Sequence, residues 1–412
     1  MKGVLLIAFL LACSVLYSQE KKVVFIIADG IPADVLQKLN TPNIDKIIRD
    51  GSYFRAYVGG EKGAYSETPT ISAVSYNTIL TGVWVNKHNV FDNDVAAPNY
   101  NYWNIFRLYK AQHPSKPIAI FSSWLDNRTK LVGEGLEAAG NVKFDHHFDG
   151  YEHDTINFRH DAGRDFMHRI DERVIDEAAK TIREKAPNLS WVYLEYTDDM
   201  GHMYGDSPQF YKAVELLDKQ VGKLYEAVLH RQKNNKEDWL FILTTDHGRD
   251  ELTGKHHGGQ SDRQRSGWIV MNKKNTNAYA NHYDISIADI APTIASYLQL
   301  KMPENTKREV DGISLLNNVS IADAQVNHFQ DMLDITWKSF DDSPVKIFVA
   351  TTNNFKTGGK DEYRLMATVA ASQGYALIDV KNLPSEFYKV VIEGKNNTLN
   401  RWWVSSNENR RP

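Results

Sequence analysis

The sequence has little cysteine and little net charge, and each shortage excludes a class of protein. Its one cysteine, Cys13, has no second thiol to pair with, so an exported form of the chain must depend on its core and on bound metals. Its 48 basic and 52 acidic side chains give a formal net charge of -4. This balance provides neither the basic surface of a nucleic-acid-binding protein nor a polybasic run for a membrane surface. We therefore expect no specific binding of nucleic acid.

The sequence also lacks a long apolar segment. A short apolar segment lies at the N-terminus. Residues 1–18 join a lysine to an apolar stretch and then to small and polar residues, as an export signal does. The stretch is too short for a permanent transmembrane helix. We expect cleavage after Ser18; the alternative is a lipoprotein signal in which "LLA" precedes Cys13, although Leu11 is unusual there. The sequence therefore predicts an exported protein that is periplasmic, secreted or attached to the outer surface by lipid.

The pattern of apolar residues predicts an α/β fold. From Lys22 to about residue 316, short β-branched or aromatic runs alternate with longer helical patterns, which is typical of a mostly parallel central sheet flanked by helices. The clearest of these segments are helices at 41–51, 171–187 and 207–232 and strands at 117–121 and 268–271.

The pattern of apolar and turn residues changes after about residue 335. Segments such as "VKIFVATT" and "YKVVIEG" are separated by glycine, proline and asparagine turns, which is typical of a small all-β, sandwich-like domain. We expect an export signal over 1–18, an α/β domain over 22–325 and a β-rich domain over 335–412. The linker is expected near 317–335.

Acidic and histidine side chains follow three of the predicted strands. Loops at the carboxyl ends of parallel strands converge on one crevice, and carboxylate oxygen and imidazole nitrogen are both ligands of zinc. Three carboxylates and three imidazoles suffice for two adjacent ions, an arrangement that suits in-line displacement at phosphorus. The set consists of Asp29 after "VVFIIA", Asp198 and His202 after "WVYLEY", Asp246 and His247 after "WLFILTT", and His257 in "KHHGG".

Some members of this set have a plainer interpretation. Asp29 by itself also suits an ordinary Asp-Gly turn. Asp198 and His202 are four residues apart and lie on one face of a helical turn, which makes Asp199 the structural bystander. By residue type alone, either of the adjacent histidines His256 and His257 suits the role of ligand, and the other is an ordinary exposed side chain.

A hydroxyl group for this site is found in "TPTISAVSYNTILTG". Ser72 opens a predicted helix that Gly82 stops. This position lies at the positive end of the helix dipole, where backbone N–H groups bind phosphate oxygens. The alternative for Ser72 is an ordinary N-cap.

The order of these motifs resembles the alkaline phosphatase superfamily, and most closely its type I phosphodiesterase and nucleotide pyrophosphatase branch. The resemblance covers about residues 22–316 and implies a two-zinc hydrolase whose substrate is a small-molecule phosphate ester. The matching segments are "ADG" after a strand, "ILTG", "DxxGHxYG" at 198–205, "TTDHG", "HHGG", "DIAPTIASYL" at 289–298 and "DGISLL" at 311–316.

The resemblance also implies a role for each residue. Ser72 lies ten positions before Gly82, where the family has its nucleophile, and it would form a covalent phosphoserine intermediate. Asn93 lies 21 residues after Ser72, where the family has an asparagine that contacts phosphate. The implied zinc ligands are Asp29, Ser72, Asp246 and His247 for one ion and Asp198, His202 and His257 for the other.

Two departures from the family bear on the substrate. Many diesterases of this branch have asparagine and histidine where this chain has Ser75 and Tyr76, so we expect phosphate recognition to differ. Related monoesterases have a lysine and an arginine that bind the extra phosphate charge; the segment 122–130 has neither at the matching positions, although Arg128 and Lys130 lie close by. A dianionic monoester loses strong contacts without them.

We therefore expect a phosphodiesterase or nucleotide pyrophosphatase. The alternatives are a phosphomonoesterase that uses the same metals and an inactive scaffold that acts as a surface binding protein. The Cys/Ser-x-Pro-x-Arg signature of the sulfatases does not occur around Ser72.

Overall fold

The computed structural model describes residues 19–405, so the predicted export signal lies outside the described part of the chain. Between residues 19 and 405, none of the helices is both long and apolar enough to cross a membrane. The strands are β1 (Glu20–Ala28), β2 (Ser52–Tyr57), β3 (Ile118–Ser122), β4 (His146–Phe148), β5 (Leu189–Leu194), β6 (Glu237–Thr244), β7 (Ser266–Met271), β8 (Ile285–Ser286), β9 (Ile321–Phe329), β10 (Met332–Ser339), β11 (Pro344–Ala350), β12 (Arg364–Ala370), β13 (Tyr375–Asp379), β14 (Phe387–Glu393) and β15 (Thr398–Val404).

Helices connect most of the first eight strands. The α-helices are α1 (Ala33–Lys38), α2 (Pro42–Asp50), α3 (Ser72–Thr81), α4 (Val85–His88), α5 (Ile105–Gln112), α6 (Asp165–Glu184), α7 (Tyr196–Tyr204), α8 (Pro208–Asn234), α9 (Ala278–His282), α10 (Ile290–Tyr297) and α11 (Glu304–Lys307). Shorter helical turns of other types cover Asn127–Val132, Tyr151–His153, Ile287–Asp289, Asn354–Thr357 and Ala371–Gln373.

The central sheet has eight strands in the order β4-β3-β5-β1-β6-β7-β2-β8. The pairings make seven of them run in one direction, and β7 runs in the other. Alternate residues of β1 belong to two cores: Phe25 packs with α3, α5 and α10 on one face, and Ile26 packs with α2, α6 and α8 on the other. The prediction of a mostly parallel sheet flanked by helices is confirmed.

The predicted helix ends follow from capping residues. Gly51 ends α2, and the side chain of Ser207 caps α8 by accepting a hydrogen bond from the backbone N–H of Phe210. Helix α6 begins earlier than expected, at Asp165. The carboxylate of Asp161 accepts hydrogen bonds from the backbone N–H groups of Asp165 and Phe166, and these bonds stabilise the additional first turns of α6.

Two antiparallel sheets form the C-terminal part of the described chain, in the orders β13-β10-β9 and β12-β11-β14-β15. Alternate side chains of β10 and β11 are buried, among them Ile335 and Ile347. The expected all-β segment is confirmed. Strand β9 lies within the segment 317–335, where the linker is expected, because the alternating sequence "IADAQVNHF" pairs with β10. The division into domains at 325 and 335 stays a prediction.

Two fully buried lysines connect these sheets to the α/β part of the chain. Lys87 on α4 donates to the backbone carbonyl of Glu309 at 2.7 Å and to Asn400 Oδ1 on β15 at 2.7 Å. Lys389 on β14 lies 2.8 Å from both Glu309 Oε1 and Asp361 Oδ2. The β-rich segment is therefore connected to α4 and to the segment around Glu309 of the α/β part.

Candidate active site

Two adjacent strand ends supply the first group of side chains. Asp29 follows β1 directly, and Asp246 and His247 follow β6; all three are buried. The backbone N–H of Gly30 donates to Asp246 Oδ1 at 2.9 Å, which ties the two strand ends together. One ligand atom each from Asp29, Asp246 and His247 lies within 4.8 Å of the others, so this group can hold a metal ion.

Ser72 joins this group from the start of α3. Its Oγ lies 3.3 Å from His247 Nε2, the nitrogen that is also 3.3 Å from Asp29 Oδ1 and 3.2 Å from Asp246 Oδ2. Ile71 occupies the N-cap position of α3, so Ser72 is the first helical residue and does not cap the helix. Its hydroxyl is therefore directed at the acidic group.

The second group comes from α7 and the loop after β6. His202 Nε2 lies 3.2 Å from Asp198 Oδ2 and 3.1 Å from His257 Nε2. Ligand atoms of Asp198, His247 and His257 all lie within 4.8 Å of one another, and the rings of His247 and His257 stack with centroids 3.7 Å apart. His247 thus belongs to both groups, which makes them neighbours in one site.

The remaining candidates have distinct places. Asn93 lies beside the nucleophile helix, since its Oδ1 accepts a hydrogen bond from the backbone N–H of Ala73 at 3.0 Å. Asp199 does not join the ligand groups; its carboxylate pairs with Arg164. His256 is exposed, whereas His257 is partly buried within the site. The structure therefore brings together Ser72 and all six acidic and histidine residues of the predicted set.

Each buried carboxylate of the first group has one oxygen bound to a protein donor and one oxygen without a partner. Asp29 Oδ1 and Asp246 Oδ2 are buried and accept no hydrogen bond from the described residues. A buried anionic oxygen without a donor is costly, and a bound cation removes that cost. These oxygens fit a metal ion better than they fit a site that stays empty.

The histidines are also arranged as metal ligands. His247 Nδ1 lies 3.0 Å from the carbonyl oxygen of Gly248, and His257 Nδ1 lies 2.9 Å from that of Thr70. Because a carbonyl only accepts, each Nδ1 carries the proton and each Nε2 presents a lone pair to the site. A carbonyl that orients the second nitrogen is typical of zinc-binding histidines.

Burial and mutual repulsion perturb the charges of this site. Burial, together with the charge of Asp246, raises the pKa of Asp29 well above its usual range, and burial raises the pKa of Asp246 to about 7. Burial alone would also raise the pKa of Asp198, but the guanidinium of Arg249 and the hydrogen bond with His202 lower it below its usual range. In the metal-free site the raised pKa values of Asp29 and Asp246 favour their protonated forms, and a bound cation would favour ionisation of both carboxylates.

Arg249 is a fully buried side chain that connects the ligand-bearing segments. Its Nε donates to the carbonyl of Gly30 at 2.9 Å, its Nη1 to that of Lys255 at 3.2 Å and its Nη2 to that of Asp198 at 2.9 Å. Its Nη2 also contacts Asp198 Oδ1. A Cβ on Gly201 would lie 2.1 Å from Arg249 Cζ, so the glycine of the "GH" pair makes room for this guanidinium.

Comparison with known proteins identifies the family of this chain. The family described as type I phosphodiesterase / nucleotide pyrophosphatase matches residues 23–316, which is most of the chain. The chain belongs to this family. The match ends close to residue 316, where the sequence resemblance also ends, and leaves the two C-terminal antiparallel sheets outside the family region.

Individual relatives within the family are distant. The venom phosphodiesterase CdcPDE of Crotalus durissus collilineatus is 26% identical over 254 residues, which cover 58% of this chain and 28% of that protein. Human ectonucleotide pyrophosphatase/phosphodiesterase family member 5 is 26% identical over 267 residues, covering 59% of this chain and 49% of that protein. The chain thus aligns with half or less of the length of these relatives.

Solved structures confirm the fold. A 2-O GAG sulfatase has a TM-score of 0.51 at 11% identity, with 88% of this chain and 86% of that chain covered. At this identity the likeness concerns the fold alone.

Sequence reasoning did not identify the side chains that support the ligands. Arg249 directly follows "TTDHG", so its position beside a ligand motif was an available signal. Tyr76 and Ser75, at which we expect phosphate recognition to differ from the family, are both buried, and Tyr76 contacts Asp29. In this chain a tyrosine hydroxyl therefore supports Asp29.

Proposed function

We propose that this chain is an exported, zinc-dependent phosphodiesterase or nucleotide pyrophosphatase that acts through a phosphoserine intermediate. The observation that carries the proposal is the position of Ser72 Oγ, 3.3 Å from the histidine nitrogen that Asp29 and Asp246 also approach. A serine hydroxyl next to two buried carboxylates and an imidazole is placed to act as a nucleophile.

The ligand sets support two zinc ions. Asp29, Asp246 and His247 with Ser72 would hold one ion, and Asp198, His202 and His257 would hold the other. Zinc accepts this combination of oxygen and nitrogen ligands, and when bound it supplies positive charge that favours the ionised serine and the developing negative charge at phosphorus.

The residues of the chain account for the remaining steps. Ser72 Oγ forms a bond to phosphorus while the bond to the leaving alcohol or phosphate breaks, and water then cleaves the phosphoserine and restores the hydroxyl. The first turn of α3 would direct the positive end of the helix dipole towards the phosphoryl oxygens of a substrate bound at Ser72. Asn93 uses Oδ1 to accept from Ala73, so its amide NH₂ is the group that would donate to phosphate.

The two cations of the segment 122–130 favour a diester over a monoester. Arg128 forms ion pairs with two carboxylates, with that of Asp149 at 2.6 Å and with that of Glu134. Lys130 is half exposed and lies 2.8 Å from Asp126. Neither is a free cation for a second phosphate charge, and a diester has only one charge on the reacting phosphate.

The location follows from the N-terminal signal and not from the described structure. Residues 1–18 have the pattern of an export signal, and relatives in the family include enzymes named from venom. We place the mature protein in the periplasm, in the medium or on the outer surface as a lipoprotein.

Hydrolysis of bis(p-nitrophenyl) phosphate and p-nitrophenyl phosphate by zinc-loaded protein tests the proposal. We expect faster turnover of the diester, zinc at two ions per chain, and a loss of about 10³-fold or more in kcat for Ser72→Ala. Ser75→Ala is the matched control, because Ser75 lies on the same helix and its hydroxyl has no hydrogen-bond partner among the described residues.

Three results would contradict parts of this proposal. A wide preference for the monoester would identify a phosphomonoesterase with the same metals. Full activity in Ser72→Ala would exclude the phosphoserine. Stoichiometric zinc with no hydrolysis of any phosphate or phosphonate ester would identify an inactive scaffold that serves as a surface binding protein.

A further inference from the structure

The hydroxyl groups of two buried tyrosines contact the carboxylate of Asp29. The hydroxyl of Tyr193 donates to Asp29 Oδ2 at 2.7 Å, the hydroxyl of Tyr76 contacts the same oxygen, and the two hydroxyl oxygens are 2.9 Å apart. Each phenol has one proton to donate, and the ionised carboxylate that a metal ion would bind only accepts. Asp29 Oδ2 is therefore the common acceptor of both tyrosines.

This pairing leaves the other oxygen of Asp29 for the site. Asp29 Oδ1 is buried, accepts no hydrogen bond from the described residues and lies 3.3 Å from His247 Nε2. Because the two hydroxyls bind Oδ2, Asp29 has one carboxylate oxygen, Oδ1, available to a metal ion. Asp246 is arranged in the same way, with Oδ1 bound to the N–H of Gly30 and Oδ2 free.

The local structure explains why both tyrosines are held firmly. Tyr76 lies four residues after Ser72 on α3, so the nucleophile and the tyrosine share one helix face. The ring of Tyr76 packs edge-on against Trp124 and Trp191, with centroids 6.4 and 6.5 Å away. Tyr193 lies near the end of β5, next to β1 in the sheet. Helix α3 therefore fixes both the serine and the support of its neighbouring carboxylate.

We propose that Tyr76 and Tyr193 are positioning residues that hold Asp29 as a one-oxygen ligand of the zinc ion that binds Ser72. The inference rests on the proposed function. Neither tyrosine contacts the substrate in this account; both act through Asp29. Loss of groups that orient a metal ligand typically weakens metal affinity by about 10 to 100-fold, and we expect a loss in that range for each hydroxyl.

The test compares zinc affinity in phenylalanine variants that lack only one hydroxyl group. Tyr76→Phe and Tyr193→Phe are titrated with zinc against a chromophoric chelator, and their urea unfolding is measured without metal. Tyr102→Phe is the matched control, because Tyr102 is also buried but its hydroxyl has no hydrogen-bond partner among the described residues. We expect the control to bind zinc as the parent does.

Kinetics separate positioning from a merely structural effect. We expect a lower kcat with little change in KM for the diester in both variants, and partial recovery of kcat at high zinc concentration. Near-parental unfolding together with weaker zinc binding supports the inference.

The outcomes distinguish this inference from the function on which it rests. Parent protein that binds two zinc ions, with single variants that bind them equally tightly, would overturn the inference and leave the proposed function intact. Parent protein that binds no zinc would overturn both.

Discussion

Replacement of Arg249 by methionine is expected to destabilise the metal-free protein strongly. Arg249 is fully buried and donates to three backbone carbonyls, and it also contacts the carboxylate of Asp198. Methionine fills much of the volume but supplies no charge and no donors. Removal of one partner from a buried ion pair costs about 3–5 kcal/mol, because the other charge stays buried without compensation.

Urea unfolding in the presence of EDTA, followed by tryptophan fluorescence, measures this loss without any contribution from bound metal. Arg173→Met is the matched control: Arg173 forms a half-exposed pair with Glu177 one helical turn away, and such pairs contribute about 0.5 kcal/mol or less. Arg249→Lys keeps the charge but not the fork of donors, so its free energy of unfolding should lie between those of Arg249→Met and the parent.

A loss below about 1 kcal/mol for Arg249→Met, no larger than that of the control, would refute the reasoning. It would mean that Asp198 finds other compensation in the metal-free state. A loss in the expected range that becomes smaller when zinc is added would also support the assignment of Asp198 as a ligand, since a cation would replace part of the missing charge.

Three further predictions concern the surroundings of the site. Gly201→Ala should lower the urea midpoint of metal-free protein by nearly as much as Arg249→Met, because the added Cβ occupies the place of the guanidinium; an unchanged midpoint would contradict this. Burial lowers the pKa of His88 to about 3, so the unfolded chain takes up a proton below pH 6.5 that the folded chain does not. His88 should therefore reduce the free energy of unfolding by about 2 kcal/mol between pH 6.5 and 5, and His88→Gln should show a correspondingly weaker pH dependence in urea titrations. Lys389→Met should cost about 3–5 kcal/mol in the same assay, because it leaves the buried carboxylate of Glu309 unpaired, while kcat per folded molecule stays at the parental value.

The ligand set was predictable because it depends on a general property of parallel sheets. Asp29 and Asp246 follow adjacent parallel strands, and Asp198 and His202 follow the strand on the other side of β1. The strand order was not needed to predict that these side chains converge, because the carboxyl ends of parallel strands lie at the same edge of the sheet. The start of α3 at Ser72 likewise followed from local pattern, which requires only neighbouring residues.

Strand β9 shows where local pattern was insufficient. No strand was predicted in the segment 317–335, where the linker is expected, yet residues 321–329 form β9. A short alternating run becomes a strand when a partner strand satisfies its backbone groups, and here β10 supplies that partner.

The sequence by itself determined the α/β class, the family and the residues that meet at the site, because these depend on periodicity, on strand ends and on the order of short motifs. Only the tertiary structure decided what orients those residues. Arg249 reaches Gly30 across 219 positions, and Tyr193 reaches Asp29 across 164. Contacts over such separations depend on how the elements pack in three dimensions, and no local pattern in the chain encodes them.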